Sequence, residues 1–229
     1  MFERGATRMT HTVKIIAIEP VTHDVDRYVL EKPEGFDFTP GQATEVAIDA
    51  PQWRDEKRPF TFTCLPDWDC LEFTIKHYPD HDGVTKALGD LVVGDALVID
   101  DPWGTIAYKG PGTFIAGGAG VTPFIAILRH LETRGKLAGH RLIFANKTEA
   151  DIINRAEFAA MDGLEIIHVL SAEDKARFEH GQVDKALLQR HIDDVSQELY
   201  LCGPKPMQDA VKSALKELGA DPESVTFEK

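Results

Sequence analysis

The segment that most restricts how this chain can fold is Gly117-Gly118-Ala119-Gly120-Val121-Thr122-Pro123-Phe124. It follows an apolar run, residues 113–116, that reads as a buried strand, and it opens a helical pattern over Thr122–Thr133 with Pro123 in the first turn. Strand, glycine-rich turn and helix N-terminus, in that order, let backbone N–H groups approach the phosphates of a dinucleotide, although the spacing differs from the usual Rossmann fingerprint. The plainer reading of the same residues is a tight turn that serves only strand–helix packing.

Around this turn the chain changes character. Before it, residues 12–18, 24–31, 44–48, 59–64, 71–77 and 96–100 are short runs rich in Val, Ile, Thr and aromatics, separated by Gly, Pro or Asp. That is the pattern of an antiparallel barrel or sandwich. Residues 84–91 interrupt it with one short helical reading. After the Pro and Gly punctuation of 102–112, strand readings at 113–116, 141–145, 165–170 and 198–202 alternate with helical ones at 122–133, 157–161, 184–191 and 204–218, which predicts a parallel sheet with crossover helices. The expected architecture is a β-barrel domain over residues 1–109 and an α/β domain over 110–229.

The composition excludes several function classes. A net charge of -13 opposes general nucleic-acid binding, and no run approaches the roughly 18 apolar residues of a membrane helix. Residues 1–10 carry Arg4 and Arg8 but no apolar stretch of the signal-peptide kind. Cys64, Cys70 and Cys202 are scattered, without the close pairing of a zinc or iron–sulfur site. The expectation is a cytoplasmic protein with free thiols, no membrane insertion and no nucleic-acid partner.

Three further motifs carry chemistry. Arg58-Pro59-Phe60-Thr61 combines a forked phosphate donor, a flat ring for stacking and a hydroxyl, though a barrel strand with one exposed arginine looks the same. Gly83-Val84-Thr85 begins the only helical reading of the barrel half, where a pyrophosphate could meet helix N–H groups and where Thr85 could equally be a cap. Cys202-Gly203-Pro204, with Met207 following, ends the last good parallel strand and would share a crevice with Gly120 and Thr122. A lone cysteine there also fits the core.

These four motifs in this order resemble the ferredoxin–NADP reductase superfamily of flavin reductases, over nearly the whole chain from about residue 12 to 229. The resemblance implies that Arg58 binds a flavin phosphate, Phe60 stacks on the isoalloxazine with Pro59 beside it, and Thr61 lies near the reactive N5. It implies that Thr74, Ile75, Lys76 and His77 line the flavin, and that Gly83, Val84 and Thr85 hold a pyrophosphate, hence FAD rather than FMN. Gly118, Gly120, Val121, Thr122 and Pro123 would face a nicotinamide cofactor, with Cys202, Gly203 and Pro204 beside its ring. Thr61 and Cys202 are the expected catalytic residues.

The activity implied is transfer of electrons from NADH or NADPH through FAD to a separate one-electron carrier such as ferredoxin, flavodoxin or a haem protein. A reductase of free flavin or other small acceptors, and a non-catalytic electron-transfer subunit, are the competing readings. Three departures from the family stand out, the first two being that Phe60 occupies the usual tyrosine position and that Ser171-Ala172-Glu173-Asp174 lacks the arginine with which NADP-dependent relatives grip the 2′-phosphate. The acids favour NADH, unless Lys175 and Arg177 supply the missing charge. Relatives also commonly end on an aromatic that covers the flavin, whereas this chain ends Phe227-Glu228-Lys229. His77 with Asp80, His81 and Asp82 reads as a polar loop rather than a metal site, and Asp100 and Asp101 as a solvated pair.

Overall fold

A computed structural model describes residues 9–78, 83–104, 106–221 and 224–227. The first sheet holds β1 (Thr10–Thr22), β2 (Val25–Glu31), β3 (Gln42–Ile48), β4 (Arg58–Thr61), β5 (Cys70–Lys76), β6 (Ala96–Asp100) and the short β7 (Trp103–Gly104), with α1 (Val84–Leu88) after β5. Its order is β4-β3-β6-β1-β2-β5, with β7 on β3, and every pairing is antiparallel. A bridge between Phe62 and Phe73 brings the two end strands together, so the sheet nearly closes into a barrel. Alternation sends Leu71, Phe73 and Ile75 of β5 into the barrel core and Glu72, Thr74 and Lys76 out of it.

The second sheet is parallel throughout: β8 (Gly112–Gly117), β9 (His140–Asn146), β10 (Leu164–Leu170), β11 (Glu179–His180), β12 (Glu198–Cys202) and β13 (Val225–Phe227), in the order β11-β10-β9-β8-β12-β13. The helices α2 (Thr122–Thr133), α3 (Arg155–Ala160), α4 (Lys185–His191) and α5 (Lys205–Glu217) make the crossovers. One apolar cluster around Phe114, Phe124 and Phe144 packs one face of the sheet, and another around Ile115, Ile143 and Leu201 packs the other. Burial on both faces explains why these strands read as continuous apolar runs. The winding direction reverses between β8 and β12, which opens a crevice at their carboxyl ends.

The architecture is therefore the expected antiparallel barrel followed by a parallel α/β sheet. Where the segment joining them passes, the Tyr200 hydroxyl donates to Gly110 O at 2.8 Å and accepts the N–H groups of Lys109 and Gly110, both at 3.0 Å. One expectation is corrected. Asp100 is buried, and Lys57 donates to both of its carboxylate oxygens at 2.7 and 2.8 Å, so its charge is paired with a lysine rather than solvated. Asp80, His81 and Asp82 lie outside the described residues. Among the described residues no helix is long and apolar enough to cross a membrane.

Candidate functional site

A cleft of ≈ 830 Å³ runs between the two sheets. The barrel supplies one wall: Pro59, Phe60 and Thr61 from β4, Thr74, Ile75 and Lys76 from β5, then Tyr78 and Thr85. Here β4 and β5 diverge past the Phe62 and Phe73 bridge. Since Glu72 O accepts from Thr63 N, alternation turns the N–H and C=O of Thr74 towards the same opening. Phe60 is half-buried and leans on Phe73 with ring centroids 6.4 Å apart.

The opposite wall is the glycine turn. Gly118 to Val121 form a 3-10 turn that runs straight into α2, and Thr122 Oγ1 donates to Ala119 O at 3.0 Å. A Cβ on Gly120 would lie 2.5 Å from Cys202 O and 2.6 Å from Gly203 Cα, so only glycine lets the turn rest on the end of β12. Gly118 has φ +52°, a left-handed conformation that favours glycine, and nothing lies within 4 Å of where its Cβ would be. One glycine thus makes the turn tight and another leaves its outer side open. Gly117, Gly118, Gly120, Thr122, Cys202, Gly203, Pro204 and Met207 all line the cleft.

The structure separates some residues that sequence reasoning grouped. Val121 and Pro123 are buried beneath the turn rather than on the wall, and Val84 is buried in the barrel core. Gly83 has an extended backbone, and α1 has no side-chain cap, so Thr85 is not one. His77 faces away from the cleft, with Nε2 3.0 Å from Asp26 and 3.3 Å from the Tyr28 hydroxyl and Nδ1 3.1 Å from Thr85 O. It ties α1 to the barrel. Arg58 is exposed beside the cleft, donating to Lys57 O and lying 3.5 Å from Glu56, a weak surface contact that a phosphate could displace. Phe227 sits on the edge strand β13 under Lys212, off the cleft wall.

Lys175 and Arg177 are engaged. Glu149 is bound by Lys175 at 2.8 Å and also by Arg155 and Arg177, and Glu173 is bound by Lys175 at 3.0 Å. The hydrogen bond from Lys175, then those of Arg155 and the nearby arginine charges, hold the Glu149 carboxyl down at about 2 against the pull of desolvation. The loop carrying these cations leaves the cleft at Ser171 and returns at Gly181.

Several residues in and beneath the cleft stand outside the sequence motifs. Asn146 ends β9 on the cleft wall, and neither its amide nitrogen nor its oxygen finds a partner in the protein. A buried orphan amide in a cleft is the sort of group that a ligand completes. Beneath the cleft, Arg129 of α2 donates to Thr63 O and Glu72 Oε1, both at 2.7 Å, and to Glu157 through Nε at 2.5 Å and Nη2 at 3.0 Å. Arg27 of β2 adds a bond to Asn154 at 3.2 Å and an ion pair with Glu72 at 3.6 Å. Burial works against the Arg129 charge, but its bonds to Glu157 and the attraction of Glu72 raise its pKa all the same. Cys64, by contrast, is a core thiol pushed up to about 12 by burial.

The residues present fit a flavin and a nicotinamide nucleotide together. One wall offers an aromatic, hydroxyls and open strand backbone; the other offers a turn trimmed to backbone at a switch point, with an unsatisfied amide beside it. Residues 114–213 match the oxidoreductase NAD-binding domain family. The reductase component of propane 2-monooxygenase from Mycolicibacterium goodii is 31% identical over 216 residues, covering 86% of this chain. The match spans 61% of that protein's length. The FAD/NAD-binding domain of a nitric oxide dioxygenase from Vibrio cholerae superposes with a TM-score of 0.85 at 22% identity, covering 95% of this chain and 97% of that one. A ferredoxin NADP+ reductase from Neisseria gonorrhoeae, solved with FAD and NADP, gives 0.83 at 18% identity, covering 96% and 98%. Residues 114–213 thus form an oxidoreductase NAD-binding domain, and the whole chain has the two-domain fold of the FAD- and nicotinamide-binding ferredoxin reductases on which it superposes.

Proposed function

We propose that the protein is an FAD-dependent NADH reductase that hands electrons to a separate carrier protein, a reading supported by a relative at 31% identity named as the reductase component of propane 2-monooxygenase. We take residues 1–109 as the FAD-binding domain and 110–229 as the nicotinamide domain. The observation that carries the reading is one cleft with Phe60, Thr61 and Thr74 on the barrel side and Gly118, Gly120 and Cys202 on the other.

When bound, the flavin supplies the redox chemistry, accepting a hydride and releasing electrons singly. The chain's own residues do the placing. Phe60 offers the stacking face, Thr61 a hydroxyl near the reacting edge, and Arg58 a cation for a phosphate. The Gly118 to Thr122 turn would offer N–H groups to the nucleotide's phosphates, and Cys202 would lie beside the nicotinamide and position it for hydride transfer without a covalent step. The preference for NADH rests on Glu149 and Glu173, which neutralise Lys175 and leave Arg177 engaged, so a ribose 2′-phosphate would meet no uncommitted cation from either residue.

The test is direct. Purified protein should be yellow, should bleach on adding NADH, and should turn over a carrier purified from the same cell faster than free flavin or ferricyanide. No advantage for the carrier moves the reading to a reductase of small acceptors, and colourless protein that takes up no FAD ends it.

A further inference from the structure

Arg129 and Glu72 do not line the cleft, yet they join the two elements that do. Thr122 and Arg129 are two helical turns apart on α2 and share a face. Glu72 and Thr74 are alternate residues of β5 and share its outer face. The cleft therefore separates the parts of α2 and β5 that carry Thr122 and Thr74, and the ion pair fastens the same two elements further along.

The joint is fixed in direction as well as distance. One guanidinium nitrogen holds both Glu72 Oε1 and the backbone carbonyl of Thr63, while the rest of the group grips Glu157 and lies 5.2 Å from the Trp68 ring centroid. Thr63 Oγ1 donates at 2.7 Å to the same Glu72 oxygen and lies 3.3 Å from Thr74 Oγ1, which is on the cleft wall. Arg129 and Glu72 are both more than nine-tenths buried. Apolar packing would join the two halves without desolvating a charge, so a buried ion pair is a poor device for stability alone. What it adds is a set of bonds with defined lengths and angles.

We propose that Arg129 and Glu72 are positioning residues that set the spacing between the barrel wall and the glycine turn, and hence between the two rings that the cleft brings together. The inference rests on the flavin and nicotinamide reading above. Loosening the pair leaves each wall intact and spoils only their mutual alignment, to which hydride transfer is far more sensitive than binding.

The test compares wild type, Arg129→Gln, Arg129→Lys and Glu72→Gln as full-length, FAD-loaded proteins. Stopped-flow mixing with NADH gives the limiting rate of flavin bleaching and the apparent Kd separately. Hydrogen exchange without NADH gives a readout independent of turnover. The expected result is a fall of about tenfold or more in the limiting rate for Arg129→Gln, with Kd within about twofold, and a smaller fall for Arg129→Lys, which keeps the charge but not the fork. Exchange should rise in residues 61–76 and 118–131 and stay unchanged in β1 and β6. If wild type bleaches with NADH and all three variants keep its limiting rate, the inference is overturned and the functional reading stands. Rate losses accompanied by unchanged exchange overturn it too. If wild type takes up no FAD or is not bleached, both fall together.

Discussion

Lys175 Nζ lies 2.8 Å from Glu149 Oε2, a contact that commits this cation of the loop between Ser171 and Gly181 to a carboxylate. Glu149→Gln should release Arg177 and leave Lys175 held by Glu173 alone. The kcat/KM for NADPH relative to NADH is then expected to rise about tenfold, measured by steady-state bleaching or carrier reduction with each donor. An unchanged ratio would show that these side chains do not reach the ribose.

The same carboxylate should stay ionised well into acid. Its folded-state value of about 2 lies below the ordinary value of 4.5, so the stabilisation it provides is complete above pH 4.5 and is lost only as pH falls towards 2. Donor selectivity should accordingly show no inflection from this group between pH 5 and 8.

His168 behaves in the opposite sense. Burial, then the Arg155 charge, lower its pKa from 6.5 to about 4, and its Nδ1 is buried without a hydrogen-bond partner. Below pH 6.5 the unfolded chain takes up a proton that the folded protein refuses until about pH 4. Stability should fall by about 2 kcal/mol across that window, after allowing for the partial exposure of the ring. Urea melts of wild type and His168→Gln at pH 7.5 and 4.5 should show the variant losing less.

Gly120→Ala probes the turn itself. The new methyl group meets backbone atoms of Cys202 and Gly203 at 2.5 to 2.6 Å, and backbone cannot swing aside as a long side chain could. The expected outcome is a loss of about 1–3 kcal/mol in stability and a several-fold higher KM for NADH, with FAD content unchanged. FAD content by absorbance and KM by titration check it.

Tyr200→Phe should loosen the segment between the sheets. It deprives the N–H groups of Lys109 and Gly110 of their shared acceptor, at a cost of about 1–3 kcal/mol in a urea melt.

Much of the fold was legible because its signals are local. Ala96–Asp100, Thr122–Thr133 and Glu198–Cys202 have the bounds that their apolar pattern predicts, and the glycine turn sits where strand and helix signals meet. The two-residue strands β7 and β11 are too short to hold a period, and β13 is an edge strand with only half-buried residues. At the site, motif residues such as Phe60, Gly120 and Cys202 could be read from their neighbours. Arg129 and Glu72 could not, since they meet across 57 residues of sequence and neither stands in a motif. Asn146 was nearer to view, as a polar residue closing an apolar strand at its carboxyl end. Lys175 and Arg177 were visible as charges, but their engagement with Glu149 exists only once the loop is folded.

The charges joining the halves also act as a compatibility code for recombination. The barrel contributes Arg27 and Glu72, the α/β half contributes Arg129 and Glu157, and each cation meets at least one acid of the other half. A chimera that grafts this barrel onto the nicotinamide half of a relative would bury Glu72 opposite whatever replaces Arg129. Grafts that carry all four positions across together should dock and conduct electrons, whereas grafts cut between them should yield two folded halves that meet out of register.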